Sequence, residues 1–301
     1  MNVLGLYLLF SLPAIAAIFG TDDRVQPSGA FRAVARSTAL QVPLNFVSEG
    51  NGKLDLDFSA LSDRSNYNFC SDESFASEKV SPIACTGFLV APDLLVTAGH
   101  CAVNWTKVEN TVTPQCEAFG WLFDYQVDAE GKGPPLSGIP SANLVKCKSV
   151  IYANFFLQNV KGKSIFGEDI ALIRLDRAVT DREPLVLSGK VPALGEKLSM
   201  VGYPLGLPAK VSSGKTLEYG QDFFRTDLDV ASGNSGSPVL NSKGAVAGVL
   251  VRSFPDADFV EDIRADCRRW NFCKSGSCVA TEGYANGSEV QKIQPLLSRI
   301  R

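Results

Sequence analysis

Beyond Gly20 the chain alternates short apolar runs with clusters of Gly, Pro, Asn and Ser. The runs at 86–90, 94–97, 144–152, 170–175, 197–202 and 245–251 are strand-length and rich in Val, Ile, Leu and Phe. Turn residues such as Pro92-Asp93 and Ser242-Lys243-Gly244 separate them, the pattern of β-strands joined by tight connections. A helical period is visible only at 288–301, where Val290, Ile293, Leu296, Leu297 and Ile300 recur at near-helical spacing and predict one closing helix. The polar stretches 48–81 and 129–143 read as long surface loops. The pattern contains no internal repeat and predicts a mainly antiparallel, all-β protein built of barrels or a sandwich.

Composition narrows what such a fold does. Across 301 residues the charge is 29 − 32 = −3, with 45% hydrophobic and 20% charged positions. No basic surplus exists to neutralise a phosphate backbone, which argues against a nucleic-acid partner. Eight cysteines and a single histidine lack the paired spacing of a zinc site, so we expect no metal and no cofactor. Residues 1–17 are apolar and end in small residues, with Ala14-Ile15-Ala16 offering a cleavage site, and predict a secretory signal peptide. No Lys or Arg precedes that run, so the α-amino group alone charges its start. No other stretch is long enough to span a bilayer. The expected product is residues 18–301, secreted or periplasmic, monomeric, free of membrane after signal cleavage, with most cysteines in disulfides. Residues 254–286 hold three cysteines with Arg264, Arg268 and Arg269, and read as a disulfide-bound surface extension. The sequons at Asn104 and Asn286 matter only in a eukaryotic host.

Three segments carry chemistry. Leu94-Leu95-Val96-Thr97-Ala98-Gly99-His100-Cys101 runs a strand into a small-residue turn presenting the only imidazole. Glu168-Asp169-Ile170-Ala171-Leu172 puts a carboxylate at the mouth of a strand. Gly233-Asn234-Ser235-Gly236-Ser237-Pro238 flanks a serine with glycines, which let a substrate carbonyl approach main-chain N–H groups. A serine hydroxyl needs a base titrating near working pH, and histidine is that base. The imidazole in turn needs its other N–H held, which a buried carboxylate does. The Gly233 and Ser235 amides would bind the oxyanion, each such donor being worth about 3–4 kcal/mol. Taken singly, each segment has a plain structural reading: a satisfied buried histidine, an Asp capping a turn, a Gly/Ser hairpin. In the order His, Asp, Ser they are specific.

These three blocks resemble the signature segments of trypsin-like (chymotrypsin-fold) serine peptidases. The Gly-Asn-Ser-Gly-Ser-Pro form, with Gly20-Thr21-Asp22-Asp23-Arg24, is similar to the bacterial branch that includes glutamyl endopeptidases. The resemblance spans roughly 18–252. It implies two packed six-stranded antiparallel β-barrels with a C-terminal helix, His100 from the first barrel and Ser235 from the second. The implied reaction is hydrolysis of protein or peptide substrates through an acyl-enzyme. It also implies a disulfide between Cys85 and Cys101 beside the histidine, and suggests Cys116–Cys147 as a second. Cys70, Cys267, Cys273 and Cys278 allow three pairings. Where animal trypsins carry an Asp that pairs with a freed N-terminus, this chain has Asn234, so that charge switch is absent. With roughly three residues between the leader and Gly20, no propeptide is expected, and N-terminal sequencing tests this.

Specificity is less constrained. Asp229, six residues before Ser235, falls at the floor of the primary pocket in the trypsin pattern and would favour Lys or Arg before the scissile bond. Leu250 stands where glutamyl endopeptidases place a pocket histidine, which rules against a glutamyl pocket of that kind. Arg252, near the pocket entrance, either pairs with Asp229, leaving a neutral pocket, or attracts an acidic side chain. The rival of another class is a catalytically inactive, peptidase-like binding module. A lipase-like enzyme is disfavoured because the sole histidine precedes the serine.

Overall fold

A computed structural model describes residues 18–82, 85–104, 106–160, 163–254, 258–274, 277–278 and 287–300. The expected signal peptide and Asn286 lie outside the described residues. The chain builds two closed antiparallel barrels of six strands each. In the first, Thr38–Pro43, Thr86–Ala91, Leu94–Thr97, Lys163–Leu175, Leu144–Val160 and Phe119–Leu122 pair in that order, and the last closes back onto the first. Lys107–Thr111 adds an outer edge strand. The second barrel runs Lys197–Gly202, Lys210–Tyr219, Phe223–Thr226, Gly287–Lys292, Val246–Phe254 and Pro238–Leu240, closing on its first strand. The expected apolar runs are therefore barrel walls. Alternate residues fill each interior: Leu95, Trp121, Val150 and Ile173 in the first, Met200, Phe224, Val239 and Val290 in the second.

Two expectations change. The closing segment is not one long helix: Gly287–Lys292 is a barrel strand, followed by a single 3-10 turn, Gln294–Leu296. The strand inserts between Phe223–Thr226 and Val246–Phe254, and main-chain pairing on both sides outweighs the helical spacing of its apolar residues. The polar stretch 48–81 is also more than a surface loop. It carries short strands at Lys53–Leu56, Ser59–Ala60 and Lys79–Val80 and buries Leu54, Leu61, Phe69 and Val80. Its second half packs on the 258–274 extension, where Phe259–Asp262 and Cys267–Trp270 form a hairpin tied to it by the Cys70–Cys267 disulfide. Trp270 and Phe69 stack at 4.6 Å inside that cluster, and the Arg24 guanidinium lies 3.9 Å over the Trp270 ring. The extension is thus anchored by a core of its own. Ile18–Phe19 pairs in parallel with its Phe272–Lys274 strand, whose Cys273 stands opposite Cys278 in the next strand.

Candidate active site

The first barrel delivers His100 at a strand end. After Leu94–Thr97 the chain turns through the 3-10 segment Gly99–Cys101, and the Ala102 and Val103 amides close on the Gly99 carbonyl at 2.9 and 3.0 Å. Gly99 is required by space: a Cβ there would stand 2.0 Å from the Asn154 carbonyl oxygen. The Cys85–Cys101 disulfide pins the turn, and Gln41 Nε2 donates to the Cys101 carbonyl at 3.0 Å. The Phe155 ring flanks the imidazole at 5.5 Å. His100 lies near Cys85 and Cys101, but their sulfurs are bonded to each other and offer no thiolate to a metal.

Asp169 meets that turn from the neighbouring strand, Lys163–Leu175. Its carboxylate takes the His100 main-chain N–H at 3.0 Å and the ring Nδ1 at 2.9 Å. An ionised carboxylate accepts only, so the ring proton on that side sits on Nδ1 and Nε2 is left as the basic nitrogen. Burial opposes ionisation of Asp169, but the His100 ring, its N–H and the Arg252 guanidinium hold the carboxyl below the ordinary aspartate value. Gln291 of the last barrel strand accepts the Asp169 N–H at 3.1 Å and donates to the Asp222 carbonyl at 2.8 Å, orienting the strand mouth.

The second barrel delivers Ser235 in a tight turn locked to the first barrel. The Thr86 N–H donates to the Ser235 carbonyl at 2.7 Å, and the Thr86 hydroxyl donates to the Gly233 carbonyl at 2.7 Å. The Tyr203 N–H in turn donates to that hydroxyl at 3.2 Å, and Thr97 Oγ1 donates to the Thr86 carbonyl at 2.7 Å. Thr86 follows Cys85 in sequence, and Cys101 Sγ lies 3.8 Å from the Ser235 carbonyl oxygen, so the disulfide beside His100 also abuts the serine turn. Gly236 has φ +91°, and a Cβ on it would meet the Thr86 carbonyl oxygen at 1.9 Å; only glycine fits. Among the described residues the Gly233 and Ser235 amides donate to no internal acceptor, while the amides of Asn234, Gly236 and Ser237 are all used. Asn234 is buried and folds back on its own turn, its Oδ1 accepting the Ala231 N–H at 2.9 Å.

The specificity candidates separate. The oxygens of Asp229 accept the Phe19 and Asp23 amides at 2.7 and 3.0 Å. Burial pushes its carboxyl up to about 7 against those two amides, and the neighbouring Asp23 adds to the rise. Arg252 does not follow the expectation that it answers Asp229: its guanidinium faces Asp169 at 3.5 Å and Glu289 at 3.4 Å. Leu250 is buried. Its side chain packs inside the second barrel, and its main chain braces the serine turn, accepting from Gly236 at 2.7 Å and donating to Ser237 at 3.0 Å. Sequence reading placed Thr97 in the histidine segment without giving it a role, and missed Thr86, Tyr203 and Gln291, of which only Thr86, beside a cysteine, was marked by its position.

The comparisons with known proteins bear on this arrangement. Part of the chain is 30% identical over 95 residues to the Arabidopsis thaliana protein "Protease Do-like 1, chloroplastic", covering 27% of this chain and about a fifth of that relative's length. Among solved structures, it is similar to a Glu endopeptidase in complex with MPD (14% identity, 94% of this chain and 97% of the other, TM-score 0.49). It is similar also to kallikrein-related peptidase 10 in complex with Zn2+ (16% identity, 72% and 87%, TM-score 0.43). The trypsin-like peptidase domain family matches residues 85–249, more than half of the chain and a span that holds His100, Asp169 and Ser235. With two six-stranded barrels around that span, this chain belongs to the trypsin-like peptidase domain family.

Proposed function

We propose that the protein is a secreted serine endopeptidase that cleaves peptide bonds through an acyl-enzyme. Ser235 is the nucleophile, His100 the general base and then acid, and Asp169 the carboxylate that fixes the ring. The Gly233 and Ser235 amides receive the oxyanion. One observation carries this reading: the only histidine in the chain is held on a buried carboxylate through Nδ1, at a turn whose disulfide touches the serine loop. In the proposed cycle Nε2 takes the hydroxyl proton as Ser235 attacks the scissile carbonyl. The imidazolium, stabilised by Asp169, returns that proton to the leaving amine, and water repeats the sequence on the acyl-enzyme. Three disulfides among the described residues support an oxidising compartment, and no helix among them is long and apolar enough to cross a membrane.

The preference for Lys or Arg before the scissile bond rests on Asp229. Two amides and the Asp23 carboxyl hydrogen-bond its oxygens, so a cationic side chain would have to displace Asp23 to reach them. Covalent labelling by a fluorophosphonate, abolished in Ser235→Ala together with a loss of turnover on the order of 10⁶-fold, tests the enzyme reading against the inactive binding module. A chain that takes up no label refutes it. A peptide-library profile of Asp229→Ser tests the specificity: an unchanged Arg preference removes Asp229 from the pocket floor.

A further inference from the structure

Arg252 and Glu289 occupy the second barrel directly behind the histidine–carboxylate pair of the first. Their strands pair in register, Arg252 opposite Glu289, while on its other side Glu289 stands opposite Arg225. Arg225 Nη2 lies 2.8 Å from Glu289, and Arg225 also bonds Glu218 at the surface. The result is a file of alternating charge, Glu218, Arg225, Glu289, Arg252 and Asp169, running from solvent to the imidazole. Its inner half is closed off: the side chains of Arg252, Glu289 and Asp169 are 7%, 6% and 2% exposed. Burying charges is costly unless each meets its opposite; Glu289 meets Arg252 within the second barrel, and Arg252 meets Asp169 across the barrel seam.

We propose that Arg252 is a positioning residue of the peptidase reaction, holding the Asp169 carboxylate from the second barrel and so setting the charge that His100 feels. The inference rests on the triad reading above, with the guanidinium acting through Asp169 rather than on substrate. A cation behind Asp169 withdraws part of the negative field that stabilises the imidazolium, so its removal raises the titration point of His100. Glu289 works with the opposite sign: neutralising it lets the Arg252 charge bear more fully on Asp169 and lowers that point. The other charged groups near the pair are engaged elsewhere. Glu168 accepts the Tyr152 hydroxyl and Asn154 Nδ2, and Lys107 and Arg299 lie over the Tyr152 ring.

Because the chain has one histidine, its imidazole NMR titration reports His100 alone. That titration, and the pH dependence of fluorophosphonate labelling, should be measured for the intact protein, Arg252→Met, Arg252→Lys and Glu289→Gln. The expected result is a titration point and acid limb raised by about 0.5–1 pH unit in Arg252→Met and restored in Arg252→Lys. In Glu289→Gln both move downward. General loss of stability cannot mimic opposite shifts, and Glu289→Gln with Arg252→Lys decides the matter if Arg252→Met fails to fold. Coincident titrations in all folded variants overturn the proposal while leaving Ser235-dependent labelling intact. Absence of labelling in the unaltered protein overturns the triad reading instead.

Discussion

Gly236 and Gly244 share a left-handed backbone, φ +91° and +78°, yet differ in what surrounds them, and the pair isolates the cost of the barrel seam. A methyl group on Gly244 meets nothing within 4 Å, so Gly244→Ala carries only backbone strain, about 1 kcal/mol. A methyl group on Gly236 falls 1.9 Å from the Thr86 carbonyl oxygen and 2.3 Å from Thr97 Oγ1. Relieving that overlap needs a shift of roughly 1 Å, which disrupts two seam bonds of 2.7 Å, from the Thr86 amide to Ser235 and from the Thr97 hydroxyl to Thr86. Each buried bond lost costs about 1–3 kcal/mol. With strain added, Gly236→Ala should lose about 3–7 kcal/mol, against a total stability of roughly 5–15 kcal/mol for a globular protein. Urea unfolding of both variants reads the difference, and the fluorophosphonate labelling rate of whatever remains folded should fall at least 10-fold for Gly236→Ala alone. Equal unfolding midpoints and equal labelling rates for the two variants would refute the claim that this glycine sets the serine turn against the first barrel.

Other consequences follow from named contacts. The Asp229 carboxyl is raised in the fold, so the folded chain binds more protons than the unfolded one between about pH 4 and 7; stability should fall with rising pH across that window, and Asp229→Asn should flatten the difference when urea midpoints are compared. Replacing Cys85 and Cys101 by Ser opens a loop of sequence separation 16 and should cost about 3 kcal/mol, yet labelling should fall further than the loss of folded protein explains; proportional losses would count against the disulfide's role beside His100. Thr86→Val keeps the shape but strands the Gly233 carbonyl and the Tyr203 amide, for an expected loss of about 2–6 kcal/mol and a slower acylation step in burst kinetics.

The strands that could be read in advance are those whose sequence reports their own burial, such as 94–97 and 170–175, where every residue is apolar except Thr97, at a functional end, and Arg174, which pairs with Asp93. Segments read less well owe their state to partners far along the chain. Val290, Ile293 and Leu296 suit a helix by spacing, and only Phe224 and Leu250, 66 and 40 residues earlier, make a strand of the first. Leu61, Phe69 and Val80 are scattered among polar residues and become core only because Trp270 and Ile18 arrive to cover them. The His100–Asp169–Ser235 set was legible because its chemistry demands fixed residue types in short blocks. Arg252 was visible, but its partner was not: Asp169 lies 83 positions away on the other barrel, and no local pattern encodes that meeting.

The Thr86 crossing has a consequence for recombination. Its amide and hydroxyl fix a turn contributed by the opposite half of the molecule, and Thr97 and Tyr203 complete the joint from either half. Chimaeras that exchange whole halves between distant relatives should therefore assemble and yet be slow, unless residues 86, 97, 203 and 233–237 travel as one cassette. Inheritance in this architecture runs along the joint, not along the domains it separates.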